Sequence, residues 1–360
     1  NKANQPVQWG GCAGAALSLA LSHAIKQHDG PLLLATADVQ SATRIAHELK
    51  FFLGQEDYPV VTFPDWETLA YDVFSPLPEL VSQRLITLHQ LQGLQHGIVI
   101  APIATLMQRI LPREFLDAHS LLLKVGQELD FDVFRRKLEQ AGYNAVSQVM
   151  SHGEFAVRGS LIDLFPMGSD LPYRIDLLDR EIDSIRTFDV ESQRTLEKVD
   201  RIALLPAREY PLDEAAITRF RRAYRERFEG DPQRSLIYRG VSDGQPPGGI
   251  EYYLPLFFDE TASLFDYLPA ATTLVFDQRL GEEVQHFTES VAERYEQRRH
   301  DVERPLLPPE ALFLESAEMN QRLGGFATVE TRMGSAADRE DLTGWDVASR
   351  PLPSIGIQAK

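Results

Sequence analysis

Two hydrophobic rhythms alternate along the first hundred or so residues. Within 13–27, Leu17, Leu21, Ala24 and Ile25 recur at helical spacing and predict an amphipathic helix. Pro31–Ala35 and Gly97–Ala101 are short, unbroken apolar runs, the pattern of strands buried on both faces. Between them, Asp38 stands at a cap position ahead of a helix over Val39–Leu53, with Ile45, Leu49 and Phe52 turned inward. Pro59–Phe63 predicts a further strand and Glu79–Leu91 a further helix. Apolar strands alternating with helices predict a parallel sheet covered on both faces.

The rhythm changes after about Ala118. Phe131–Ala141 reads as one amphipathic helix. Four short strand patterns follow: Glu154–Arg158, Leu161–Phe165, Tyr173–Leu177 and Glu181–Phe188, punctuated by Gly153, Gly159, Gly168 and Asp179. Such close spacing predicts an antiparallel meander. Beyond about residue 200 the pattern is mixed again. Asp213–Phe228 is a helix with acids in its first turn and arginines later, which suits the helix dipole. Thr272–Asp277 predicts a buried strand that could complete the first sheet, and Gly281–Arg299 a long helix. Residues 321–360 are rich in Gly, Ser and Asp and read as a poorly ordered extension or linker. The expected fold class is α/β: a parallel sheet built from two segments, 1–118 and 191–320, with a small α+β antiparallel unit inserted over 119–190.

Composition narrows the function. A chain of 360 residues fits two or three domains, and 43% apolar with 25% charged residues is ordinary globular composition. The single cysteine, Cys12, excludes an internal disulfide and suits a reducing cytoplasm. It reads as a small packed residue rather than a nucleophile. The polar start, 1–8, lacks the basic flank of a signal peptide, and no apolar run is long enough to cross a bilayer. The nine histidines lack metal-ligand spacing, so no metal is expected. A net charge of −17 argues against unaided nucleic-acid binding but leaves room for a local basic patch. Arg219, Arg221, Arg222, Arg225 and Arg227 read as a solvated helix face paired with Glu226 and Glu229. Phe51, Phe52, Phe257 and Phe258 read as core, and Trp66 and Tyr71 as packing residues.

A glycine-rich turn, Gly10–Gly14, opens the first helix. A phosphate loop needs glycines for close backbone approach, a Lys for the terminal phosphates and a Ser or Thr for magnesium. With Gly14 as the last glycine, Ala15 and Ala16 fill the Lys and Ser/Thr slots, so the charge and the metal ligand are both missing. The strand ending at Asp277 is followed by Gln278, where a working motor core has a second carboxylate. Gly14, Ala15, Ala16 and Asp277 therefore read as a lapsed nucleotide site, and no cofactor is expected.

Several segments resemble one family. They are the run from Asp65 to Pro76 (DWETLAYDVFSP) with Ser82–Leu85, Arg158–Gly168 (RGSLIDLFPMG), Phe188–Thr195, Gly249–Tyr253 and Leu264–Pro269. Together they resemble the bacterial transcription-repair coupling factors over roughly 10–315. The Arg-Gly-x-x-Ile-Asp-Leu-Phe-Pro core is shared with the excision-repair protein UvrB. Two features separate the chain from UvrB, which looks like an active ATPase with an intact phosphate loop and a long aromatic hairpin that clamps DNA. Here Ala15 and Ala16 replace the loop's chemistry, and Tyr71–Phe74 runs within a few residues into the helix after Pro78.

The resemblance implies UvrB-like domains 1a, 2 and 1b, and a non-catalytic adaptor whose inserted domain binds UvrA. It implies Arg158, Arg174 and Leu178 as the UvrA-binding residues, although the family often has Phe where Leu178 stands. It also implies that polymerase-binding and ATP-driven translocating domains lie downstream, giving access to RNA polymerase and DNA. This portion alone would bind DNA weakly or not at all. A UvrB-like DNA-binding or nucleotide-sensing module is the alternative.

Overall fold

The computed structural model describes residues 7–334 except Asp57, together with 344–347 and Ser349. Its largest element is a seven-stranded sheet. The strands are β1 (Val7–Gly10), β2 (Pro31–Thr36), β3 (Val60–Thr62), β4 (Gly97–Pro102), β13 (Thr273–Asp277), β14 (Ala327–Thr331) and β15 (Gly344–Asp346). The order is β15-β1-β14-β13-β2-β4-β3, and neighbouring strands run parallel.

Alternation along β2 explains why both faces are covered. Leu32 and Leu34 meet Leu21 of α1 (Ala16–Ala24), Ile25 just past its end, and Ala42, Ile45 and Leu49 of α2 (Val39–Leu53). Leu33 faces the opposite layer, with Leu85, Leu88 and Leu91 of α3 (Pro78–Leu91) and the short α4 (Ile103–Leu106) and α5 (Arg113–Ala118). Asp38 caps α2 as expected, its carboxylate accepting from the Ser41 N–H at 2.7 Å.

The inserted unit opens with β5 (Leu121–Lys124) and α6 (Phe131–Gln140). A six-stranded sheet follows: β6 (Asn144–Ala145), β7 (Glu154–Arg158), β8 (Leu161–Phe165), β9 (Tyr173–Leu178), β10 (Glu181–Phe188) and β11 (Thr195–Val199), in the order β11-β10-β9-β8-β7-β6. The chain leaves through β12 (Arg201–Leu204), which pairs antiparallel with β5. Entry and exit are thus hydrogen-bonded into one neck. The sheet runs to Val199, past the end expected for the insert, because the hairpin of β10 and β11 carries it on.

Past the neck, an aromatic core gathers Phe220 and Tyr224 of α7 (Glu214–Arg227), Tyr238 of α8 (Leu236–Ser242), Tyr252, Phe257, Trp66 and Tyr71. Trp66 and Tyr71 are therefore packing residues, as the sequence suggested. The short α9 (Leu264–Tyr267) leads into β13, followed by α10 (Leu280–Arg298), α11 (Pro309–Leu312) and α12 (Ser316–Leu323). Among the described residues no helix is long and apolar enough to cross a membrane.

Two expectations are corrected. Residues 327–331 and 344–346 are not linker: β14 sits inside the sheet, hydrogen-bonded to both β1 and β13, and β15 pairs with β1, while 335–343, 348 and 350–360 lie outside the described residues. The alternation of β14, Ala-Thr-Val-Glu-Thr, is too short and too polar to announce a buried strand. Phe51 is not core but 80% exposed. Ala42, Ile45, Leu49 and Leu53 define the inward stripe of α2, and Phe51 lies on the far side of that stripe at about 100° per residue.

Candidate docking face and glycine-rich loop

Residues directly opposite each other in an antiparallel pair project from the same face of the sheet. In the insert, Arg158 pairs with Leu161, and Leu161 with Asp176. One row along, Asp163 pairs with Arg174, and Arg174 with Arg186. Leu178 follows Arg174 and Asp176 at two-residue steps on β9. Arg158, Arg174 and Leu178 therefore share a face. The other face carries Phe155, Ile162, Leu164, Ile175 and Leu177 into a core with Phe134 and Leu138 of α6.

The three residues differ in how free they are. Arg158 is exposed, and its Nη2 donates to the Ser147 carbonyl at 3.1 Å. Leu178 is 67% exposed, beside the tight turn at Asp179, whose φ of 56° lies in the left-handed region. Arg174 is largely committed. It donates to both Asp163 oxygens at 2.6 and 2.9 Å, and to the Gln193 carbonyl at 3.2 Å. Its guanidinium also lies 4.9 Å from the Phe188 ring centre, and only 17% of the side chain is exposed. The bonds to Asp163 hold its proton even more tightly than usual. Arg186, directly opposite Arg174, shares the face and was missed by sequence reasoning. A register shift between Ile182 and Ser184 breaks the alternation that would have assigned its side.

The glycine-rich loop joins β1 to α1 at the carboxyl edge of the parallel sheet, where Asp277 also ends its strand. That edge is where such sheets bind ligands. Here the loop's donors face their own chain. The Gly11 N–H donates to Gly334 O at 2.7 Å, Cys12 N–H to Arg332 O at 3.0 Å, and Ala13 N–H to Ser349 Oγ at 3.1 Å. The Ser349 hydroxyl in turn donates to Gly11 O, and Val347 N–H to Gly10 O at 2.9 Å. Gly14 keeps a left-handed φ of 58°, but Ala15 at the α1 N-cap offers no side-chain acceptor or charge. Ala16, the first helical residue, offers none either. Asp277 Oδ1 accepts from the Arg279 N–H at 3.0 Å and its Nε at 2.9 Å, the arrangement of a turn former. Burial pushes the Cys12 thiol up to about 11, so it is a poor source of thiolate.

Between the two regions lies the seam that fixes the insert on the body. Ser82 Oγ accepts the Gly168 N–H at 2.8 Å, and Tyr143 OH donates to Leu205 O at 2.7 Å. Beneath them, Arg84 and Glu209 form a fully buried pair at 2.5 Å, with Arg84 between Phe63 and Trp66. A cavity of about 200 Å³ opens onto Ser75, His152, Met167, Arg208 and Glu251. Burial pushes the Glu251 carboxyl up to about 7, against a hydrogen bond donated by Ser75 Oγ at 2.8 Å.

Residues 121–210, which span the face carrying Arg158, Arg174 and Leu178 and the neck, match the UvrB interaction domain family. The whole chain, 360 residues, aligns at 44% identity with the transcription-repair-coupling factor of Escherichia coli, covering 31% of that protein. The chain is similar throughout to transcription-repair-coupling factors. The one from Haemophilus influenzae is 44% identical over 346 residues, 95% of the chain and 30% of the relative. The one from Bacillus subtilis is 30% identical over 282 residues, 74% of the chain and 24% of the relative. The chain thus spans between about a quarter and a third of the length of these coupling factors. Arg158, Arg174 and Leu178 fall inside the matched domain, whereas Gly14, Ala15, Ala16 and Asp277 lie outside it.

Proposed function

We propose that this chain is a non-catalytic adaptor that recruits UvrA to stalled transcription complexes for nucleotide excision repair. The observation that carries the reading is the shared, outward face of Arg158, Arg174 and Leu178 inside the UvrB interaction domain match. Arginine is enriched at interface hot spots, because its planar fork makes several charge-assisted bonds. Arg158 and Leu178 supply the free contacts, while Arg174 presents one edge and fixes the sheet beneath them. The division into 1–118, 119–190 and 191–320 belongs to the same proposal, as do ATP-driven translocation and contact with RNA polymerase and DNA by the rest of a full-length coupling factor. The inward-facing loop amides at Gly11, Cys12 and Ala13 support the absence of nucleotide chemistry in this portion.

Calorimetric titration of the chain with purified UvrA tests the reading. Arg158→Ala should weaken binding by about thirtyfold, roughly 2 kcal/mol, without moving the melting temperature. Leu178→Asp should do the same through loss of the apolar contact. Folded wild-type protein that fails to bind UvrA would reject the adaptor.

A further inference from the structure

The arginine face of α7 is not neutralised in the way its sequence suggests. Of the expected pairs with Glu226 and Glu229, one forms: Arg222 to Glu226 at 3.9 Å, both side chains more than 60% exposed. Arg219 reaches Asp259 at 3.2 Å. Among the described residues, Arg221 and Arg225 have no carboxylate partner and converge on one neutral atom. Arg221 Nε donates to the Tyr238 hydroxyl oxygen at 3.2 Å, and Arg225 Nη2 donates to the same oxygen. Both guanidiniums lean over the Tyr238 ring, 5.8 and 5.5 Å from its centre. Tyr238 is fully buried, so this anchor is fixed.

Two cations held side by side on a neutral oxygen repel each other, and an anion between or above them relieves that cost. The helix dipole accounts for basic residues in the last turn of α7, but not for Arg219, Arg221 and Arg222 earlier in it. At 100° per residue, Arg221, Arg225, Arg222 and Arg219 follow one another around the outward arc. Arg234 and Arg239 are exposed nearby on the connection into α8 and on α8 itself. This concentration of arginine stands in a chain whose net charge is −17.

We propose that the α7 arc, anchored at one end by the Arg221–Arg225 pair, is a phosphate-backbone track for duplex DNA. It supplies weak, sequence-independent contact, separate from the docking face of the insert. An extended row of planar guanidiniums fits a regular line of phosphates, and Tyr238 sets the spacing of Arg221 and Arg225. The surrounding acidic surface keeps affinity low and confines the duplex to this strip.

The test is fluorescence anisotropy of a labelled duplex of about 20 base pairs, titrated with the chain at about 50 and about 200 mM salt. Binding is expected at the lower salt, with affinity falling at least tenfold at the higher. Arg221→Glu with Arg225→Glu should remove most of it. Because those side chains brace Tyr238, Arg222→Glu is the second variant: its side chain is 68% exposed and its loss leaves folding intact. It should weaken binding severalfold and reduce the salt slope by about 0.9. Arg135→Glu with Arg136→Glu, on α6, should change nothing. No binding at low salt, equal loss from the α6 pair, or equal competition by polyglutamate of matched charge would each overturn the assignment.

Discussion

The glycine-loop edge of the parallel sheet and the exposed face of the insert are opposites in how they use their polar groups. At the edge, the fold brings a glycine loop and an Asp-tipped strand to the expected place, yet the amides of residues 11–13 are satisfied by Gly334, Arg332 and Ser349. On the insert, one arginine is tied down by Asp163 and Gln193, and that tie leaves Arg158 and Leu178 mounted on a stiff support and facing out. A motif keeps its potential only while its donors remain unspent. The difference is one of accounting for hydrogen bonds rather than of fold.

The sharpest way to break the comparison is Asp163→Ala. It leaves the partly buried Arg174 guanidinium without its carboxylate partner and should cost about 2–3 kcal/mol, read from urea denaturation, with UvrA binding weakened alongside. Asp163→Asn should cost less, because one hydrogen bond survives. Glu251→Gln probes the seam. Burial raises this carboxyl from 4.5 in the unfolded chain to about 7 in the folded one. The folded state therefore holds the proton more tightly. The stabilising share is complete below about pH 4.5 and is lost as pH rises through 7. The variant should flatten that slope, worth roughly 2 kcal/mol across the window, in stability measured from pH 5 to 8. Ser349→Ala should cost about 1 kcal/mol by stranding the Ala13 amide. The smallest effect is expected from Ala15→Lys with Ala16→Thr: a fluorescent ATP analogue should still not bind, because neighbouring amides remain engaged. Binding restored by these two changes alone would erase the contrast.

Much of the fold was legible because its signals are local. Asp38 before an apolar stripe, and the strand bounds at Glu154–Arg158 and Glu181–Phe188, follow from capping and alternation over a few residues. That Arg158 and Arg174 lie on strands was legible, but neither their shared face nor the Arg174–Asp163 clamp was, since register decides which side chains share a face and which carboxylate an arginine meets. β14 escaped because Val329 and Thr331 are its only buried positions. Phe51 misled because composition suggested core while the helix period turned it outward. The occupied loop amides could not be read at all, since their acceptors lie more than 300 residues away in sequence.

That distance bears on how the molecule is made. β1 has β14 and β15 as its sheet partners, and Gln8 meets Glu330 across 322 positions. On a ribosome adding roughly 5–20 residues per second, the first strand waits about 15–65 seconds for its neighbour to be synthesised. Everything from β2 to α12 can assemble in that interval, leaving a slot beside β13. β1 is thus seated late, by strands synthesised more than 300 residues after it.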